Sequence, residues 1–379
     1  MQNGSPLRIL HCFRSPIGGI FRHVRDLAIE QSRAGHAVGI LCDSSTGGVH
    51  EENLFNSIMP HLSLGLTRIP IDRSVSIRDV PVLWKSYKEI RSLRPDVLHG
   101  HGAKGGALAR LAGTALRVNR YRVSRFYSPH GGSLHFNPKS LAGWAVFRLE
   151  KLQEWITDAL VFVCEFERNT YRQKVGRIGI RNEVVYNGVG EADFELIPEK
   201  PDAVHFLYVG MLRDLKGPDV FIDAFAKTER ILRRPLSGMM IGDGPQKDKY
   251  LQMMTMRGLG RRITMLPAMN IKDAFAASQT VVVPSRAESM PYIVLESLAA
   301  GKTVIASDVG GISEVLGAGN KALVEAGDAD ALAKIMAESL ASLGWKAQHM
   351  PDRQKFHSVF SSNTMARRIT ALYHDLAGH

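Results

Sequence analysis

Short β-branched or apolar runs alternate with amphipathic helical stretches along nearly the whole chain, and the succession restarts once, near residue 204. Thr280-Val281-Val282-Val283 is the clearest run: β-branched at every position, it suits a strand covered on both faces inside a parallel sheet. Pro284 stops it, and a helix follows with Pro291 suited to its first turn. The same reading places strands at 7–13, 37–42, 96–99, 122–127, 159–164 and 183–186, then at 205–209, 239–241, 263–266, 281–283, 304–306 and 322–324. Helical stretches fill the intervals, among them 20–33, where Val24, Leu27, Ala28 and Gln31 share a stripe. Regular β-α succession predicts doubly wound parallel sheets, and 379 residues suffice for two domains. The expected division is 1–195 for a first Rossmann-like domain and 196–360 for a second. Residues 361–379 form a terminal helix expected to pack back on the first domain.

Composition excludes several classes. No apolar run reaches the length of a membrane span, and no signal peptide is expected from Met1-Gln2-Asn3-Gly4-Ser5-Pro6. Cys12, Cys42 and Cys164 are scattered without metal-ligand spacing, so reduced core thiols of a cytoplasmic protein are expected. The 14 histidines contain no HExxH pattern, and no metal site or metal cofactor is expected. The net charge of +11 is uneven: residues 1–195 hold 26 Lys and Arg against 18 Asp and Glu, and the remainder 22 against 19. No acid lies between Asp96 and Glu150, where Lys104, Arg110, Arg117, Arg120, Arg122, Arg125, Lys139 and Arg148 occur. That run reads as a solvated face or as a surface for an anionic partner such as lipid headgroups or a lipid diphosphate. No nucleic-acid-binding signature accompanies it, so no nucleic-acid partner is expected. Over 140–156, Leu141, Trp144, Ala145, Arg148, Leu149, Leu152, Trp155 and Ile156 form one helical stripe. Core packing is its stronger explanation, with membrane-surface docking through Trp144 and Phe147 the alternative.

The candidate site residues stand at strand ends, where ligands of α/β sheets bind. Glu288 lies in the loop after Thr280–Val283. Glu296 lies inside the following helix among Tyr292, Ile293, Ala299 and Ala300, a costly place for a carboxylate without hydrogen-bond partners. It reads either as a helix-dipole partner or as the acceptor of a ribose diol. Arg213 and Lys216 follow the strand ending at Val209 and precede a helix, a plausible diphosphate clamp. Gly242-Asp243-Gly244-Pro245 is a further strand-end turn. In the first half, Gly18-Gly19 opens a helix at a phosphate-sized entrance, although the GxGxxG fingerprint of a dinucleotide site is missing. His130 stands in Ser128-Pro129-His130-Gly131-Gly132 at another strand end, while His99 and His101 read as structural.

Taken together, these motifs resemble glycosyltransferase family 4, the retaining enzymes of the GT-B fold, in which two Rossmann-like domains face across a cleft; the resemblance implies that 1–195 is the acceptor-side domain and 196–360 the nucleotide-sugar-binding one. Gly18-Gly19, Ser128-Pro129-His130-Gly131, Asn187-Gly188-Val189, Gly210…Arg213…Lys216-Gly217, Gly242-Asp243-Gly244-Pro245 and Glu288…Glu296 carry the resemblance in order. It implies donor binding by Gly18, Gly19, Arg213, Lys216, Gly242, Asp243, Glu288, Ser289, Met290 and Glu296, and catalytic roles for Glu288, His130, Arg213 and Lys216. It also implies metal-free transfer of a hexose from a nucleoside diphosphate sugar, UDP-linked by preference or GDP-mannose, to a glycan or lipid-linked acceptor. Cell-surface polysaccharide assembly, as in exopolysaccharide biosynthesis, is the expected setting. An anionic membrane surface is a candidate partner, giving a cytoplasmic or inner-face peripheral location. Pro291 departs from the family, which commonly has glycine there, and removes one N–H. The alternatives are a sugar-nucleotide epimerase of the same fold and a non-catalytic basic binding module.

Overall fold

The alternation is built out element by element in a computed structural model that describes residues 5–72 and 79–377. The first half runs β1 (Arg8–Phe13), α1 (Gly19–Arg33), β2 (Ala37–Asp43), α2 (Val49–Ile58), β3 (Gly65–Ile69), α3 (Asp79–Leu93), β4 (Val97–His101) and α4 (Gly102–Val118). It continues with β5 (Ser124–Ser128), α5 (Leu141–Gln153), β6 (Ala159–Phe162), α6 (Glu165–Lys174) and β7 (Arg181–Val184). The second half runs β8 (Val204–Val209), α7 (Pro218–Leu232), β9 (Gly238–Ile241), α8 (Lys247–Met256), β10 (Ile263–Leu266), α9 (Ile271–Ala276), β11 (Ser278–Val283) and α10 (Tyr292–Ala299). Then come β12 (Thr303–Ser307), α11 (Ile312–Leu316), β13 (Leu323–Val324), α12 (Ala329–Ala341), α13 (Trp345–His349), α14 (Arg353–Phe360) and α15 (Ser362–Ala377).

All strand pairs are parallel, in two sheets ordered β3-β2-β1-β4-β5-β6-β7 and β10-β9-β8-β11-β12-β13. Each order reverses once, between β1 and β4 and between β8 and β11. Those are the points where loops leave in opposite directions and open a crevice at the carboxyl ends of the strands. The chain divides into Met1–Gly188 with Ser361–His379 and Val189–Phe360. The change of unit thus comes before the expected residue 195, at the Asn187-Gly188 turn. Gly188 N–H donates to Met365 Sδ at 3.3 Å and Val189 N–H to Phe360 O at 2.9 Å, so outgoing and returning chain run side by side there. The terminal helix belongs to the first unit. Its Met365, Ile369, Leu372 and Tyr373 pack with Ile9, Val97 and Phe126 of the sheet. None of the helices described is long and apolar enough to cross a membrane.

One expectation of the first unit is overturned and another is narrowed. The stripe on α5 is not core: Leu141, Trp144, Leu149, Leu152 and Trp155 are all exposed, Leu141 and Trp155 by 88% and 87%. The helix buries its other side, Phe147, Glu150, Gln153 and, just beyond it, Glu154. On that side the two carboxylates find partners. Glu150 Oε1 accepts from Tyr127 and Ser133 hydroxyls at 2.9 and 2.8 Å, and Oε2 from the fully buried Arg110 guanidinium at 3.2 and 3.3 Å. Arg110 also lies 3.9 Å from the centre of the Tyr127 ring. Removing either member of such a buried pair costs ~3–5 kcal/mol. Nor is the basic run one continuous surface. Lys104 pairs with Asp79, Arg110 with Glu150, and Arg117 and Arg125 share Asp158. Arg120, Arg122, Lys139 and Arg148 are exposed.

Candidate active site

In the second unit, four loops meet at the carboxyl end of the sheet. The loop after β8 carries Arg213 and a single 3-10 turn, Asp214–Lys216, before α7. Arg286 N–H, from the loop after β11, donates to Leu215 O at 2.8 Å. The Arg286 guanidinium grips Asp219 and Asp214 O at 2.5–2.9 Å, so it braces the two loops. Leu212 N–H donates to Asp243 O at 2.9 Å, tying in the loop after β9. Gly311 N–H, from the loop after β12, donates to Ser289 O at 2.5 Å. Gly310 has φ +62°, and a Cβ there would sit 2.3 Å from Glu288 O. That loop is therefore the wall that holds Glu288 and Ser289 in place, and the sequence reading had not singled it out.

Lys216 and Glu288, 72 residues apart, form a salt bridge, Nζ to Oε1 at 2.6 Å. Ser285 Oγ donates to the same oxygen at 2.7 Å. The Glu288 side chain is largely buried and that of Lys216 is one-quarter exposed. Arg213 is half-buried, with a buried Nε that has no partner among the described residues. Tyr208, on β8, feels the charges of this group: burial pushes its hydroxyl well above its ordinary range, Tyr250 and Glu288 add to that, and Arg213 opposes it. Met290 is buried, Glu296 is half-buried on the second turn of α10, and Pro291 stands at the N-cap of that helix. Gly242 N–H donates to Leu266 O at 3.1 Å, and exposed Asp243 accepts from Gly244 N–H at 2.8 Å, closing its own turn. Chemically the group is an anion-attracting pair of cations beside one held carboxylate.

The switch point of the first unit is built differently. His130 sits in left-handed backbone (φ +51°) just past β5. Glu167, on α6, accepts from Val163 N–H at 2.9 Å and from Gly131 N–H, pinning the loop. Burial pushes the Glu167 carboxyl up to about 7, against those two N–H groups. His130 Nε2 lies 3.0 Å from His101 Nδ1, His101 Nε2 3.0 Å from His11 Nδ1, and His11 Nε2 2.8 Å from Gln31 Oε1. With that oxygen accepting, each ring in turn donates from Nε2 and accepts at Nδ1, leaving His130 Nδ1 as a bare acceptor. His99 joins Ser128 Oγ at 2.9 Å and Tyr373 OH at 2.5 Å, and His23 joins Asn187 Oδ1 at 3.0 Å. Burial lowers all five rings, His11 and His23 to about 4 and the other three well below their ordinary value. They are neutral at pH 7.

Among the described residues, His11 with His99 and His101, and His23 with His101 and His130, are the groups whose ligand atoms converge enough for a metal. Three of these rings already spend both nitrogens on hydrogen bonds. His99 and His101, read from sequence as structural, thus belong to the surroundings of His130. The signal that could have found the network was Gln31, a polar residue on an otherwise apolar stripe. Gly18 (φ +77°) and Gly19, both exposed, open α1 after β1, and Gly18 O accepts from Arg22 N–H at 3.1 Å.

Comparison with known proteins agrees with this layout. Residues 17–192 match the family model described as Glycosyltransferase Family 4, and residues 191–354 that described as Glycosyl transferases group 1. An uncharacterized glycosyltransferase of Methanocaldococcus jannaschii is 24% identical over 370 residues, covering 95% of each chain. A Bacillus subtilis glycosyltransferase named for teichuronic acid biosynthesis is 25% identical over 311 residues, covering 78% of this chain and 74% of its own. Among solved structures, an Anabaena protein in complex with UDP-glucose superposes with a TM-score of 0.78 at 19% identity, over 98% of this chain and 100% of that one.

Proposed function

From the premise that the chain belongs to glycosyltransferase family 4, with a group 1 domain in its second half and the GT-B fold, we propose that it is a retaining hexosyltransferase using a nucleoside diphosphate sugar. The observation that carries this reading is the Lys216–Glu288 pair at the β8/β11 switch point, with Arg213 beside it. A diphosphate reaching this loop competes for Lys216 and draws on the unpartnered Nε of Arg213; each charge-assisted contact contributes roughly 1.5–3 kcal/mol. Glu288, relieved of Lys216, is then the carboxylate available to the sugar hydroxyls and to positive charge developing at the anomeric carbon. Glu296 takes the ribose hydroxyls, and Gly242, Asp243, Ser289 and Met290 line the donor. On the first unit, Gly18 and Gly19 offer N–H groups to a phosphate or acceptor, and His130 offers a neutral acceptor nitrogen to a hydroxyl.

The two cations take the place that a divalent metal holds in other transferases, so activity should survive a chelator. UDP is the preferred nucleotide, supported by the neighbour solved with UDP-glucose, and GDP is the competitor. A glycan or lipid-linked acceptor in cell-surface polysaccharide assembly is supported by the relative named for teichuronic acid biosynthesis.

Thermal-shift screening of UDP and GDP, followed by incubation of the matching sugar donors without acceptor, tests the reading. Stabilisation by one nucleotide and slow release of free sugar with retained configuration are expected. Conversion of the donor to another nucleotide sugar would make the enzyme an epimerase and end the proposal.

A further inference from the structure

The exposed side of α5 fits no role inside the protein. Leu141, Trp144, Ala145, Arg148, Leu149, Leu152 and Trp155 recur at three- and four-residue steps and lie on one stripe, all exposed. Leu149, Leu152 and Trp155 line one shallow depression with Arg148 and Lys151. Five large apolar side chains along α5 and the 3-10 turn Glu154–Ile156 that continues it, two of them tryptophan, exceed the scatter of single exposed apolar residues that a folded surface normally carries. The helix has no stability reason to keep them there, because its buried side is complete without them.

Charge decides what covers the stripe. The carboxylates of this segment, Glu150 and Glu154, both point inward, where Glu154 takes Tyr171 OH, Gly179 N–H and Lys151. Outward, Arg148 stands in the middle of the stripe with its guanidinium 5.6 Å from the centre of the Trp144 ring, and exposed Lys139 precedes the helix. Neither forms an ion pair with a carboxylate among the described residues. A second copy of the chain docking here about a two-fold axis would set these cations against their own images with no acid on the face to receive them. An anionic lipid surface instead answers both halves of the pattern: tryptophan and leucine enter the headgroup boundary, and Arg and Lys stay among the phosphates.

We propose that the exposed face of α5 seats the first unit on an anionic bilayer, the helix lying in the plane of the interface. The proposal does not rest on the donor reading and can fail without it. Co-sedimentation of the whole protein with vesicles of phosphatidylcholine, with and without phosphatidylglycerol, tests it. Binding is expected only with phosphatidylglycerol and should weaken with salt. Trp144→Ala, Leu152→Ala and Trp155→Ala together should lower vesicle affinity by roughly a hundredfold, and Lys139→Glu with Arg148→Glu by roughly tenfold or more. Because all five positions are exposed, the urea midpoint and donor hydrolysis in solution should stay at wild-type values in both variants. Equal binding to neutral vesicles, no binding to either, or binding untouched by the triple change overturns the proposal. So does a concentration-dependent dimer, seen by sedimentation, that the triple change dissolves.

Discussion

The two units place their candidate residues at the same topological position, the point where strand order reverses, and fill it with opposite chemistry. At β8/β11 the residues are charged, partly open and paired across 72 residues of sequence: Lys216 on Glu288, with Arg213 alongside. At β1/β4 they are five histidines held neutral by burial, three of them linked ring to ring. A cation at the open rim can exchange its partner for an incoming anion. A neutral imidazole inside a wall cannot hold charge there, and serves instead as a fixed acceptor of known direction. One scaffold therefore yields an electrostatic site or a hydrogen-bonding site, depending on how deep the first residues of each loop lie.

The largest effect that separates the two is pH. His11 and His23 have folded-state values of about 4 against 6.5 unfolded, so on acidification the unfolded chain binds protons first. The stability that these neutral rings contribute is complete above about pH 6.5 and is lost as pH falls towards 4, by ~3 kcal/mol for each of these two. Glu167, held at about 7, acts in the other sense, gaining its proton in the folded state between pH 7 and 4.5, but it is one group against five. Amide exchange followed from pH 7 to pH 5 should show β1–β6 opening more readily while β8–β12 changes little. Equal change in both would erase the distinction.

Next in size is the charged site itself. Glu288→Gln keeps the shape and removes the charge that Lys216 holds, so turnover should fall by about 10²–10³-fold with a much smaller change in donor affinity. His130→Gln replaces one neutral acceptor by another and should cost no more than about tenfold. Measuring kcat and donor Kd for the pair sharpens the contrast; equal losses would mean that both sites work by charge.

The smallest expected difference is steric. At Gly310 an added methyl meets Glu288 O at 2.3 Å in left-handed backbone, whereas at Gly18, also left-handed, it meets nothing within 4 Å. Gly310→Ala should therefore cost about 2–4 kcal/mol and Gly18→Ala about 1–2 kcal/mol, read as urea midpoints. Matching costs would show that the second unit's loops are as loosely held as the first unit's helix entrance.

Local pattern sufficed for most strands and helices and for their parallel arrangement, because a strand covered on both faces needs β-branched residues at consecutive positions, as in Thr280–Val283, whatever surrounds it; it missed α2 and the half-buried β3, Gly65–Ile69, which has no such run. It also sufficed to put Arg213, Lys216, Glu288 and His130 at strand ends, since loop position follows from strand position. Three features depended on which side of an element meets a partner, and no residue carries that information alone. The stripe of α5 has the composition of a core, yet Arg110 on α4 and Tyr127 on β5 satisfy Glu150, and so the polar side went inward. His11, His101 and His130 come from three strands or their ends and form a chain only because β1, β4 and β5 are neighbours in the sheet. Gly310 matters to Glu288 only because β12 lies next to β11. Sequence alone determined most element types and the end of each sheet at which the candidate residues sit. Burial and pairing across the fold determined which groups are charged, which are neutral and which face is left uncovered, since the cost of desolvating a polar atom depends on partners brought from elsewhere in the chain.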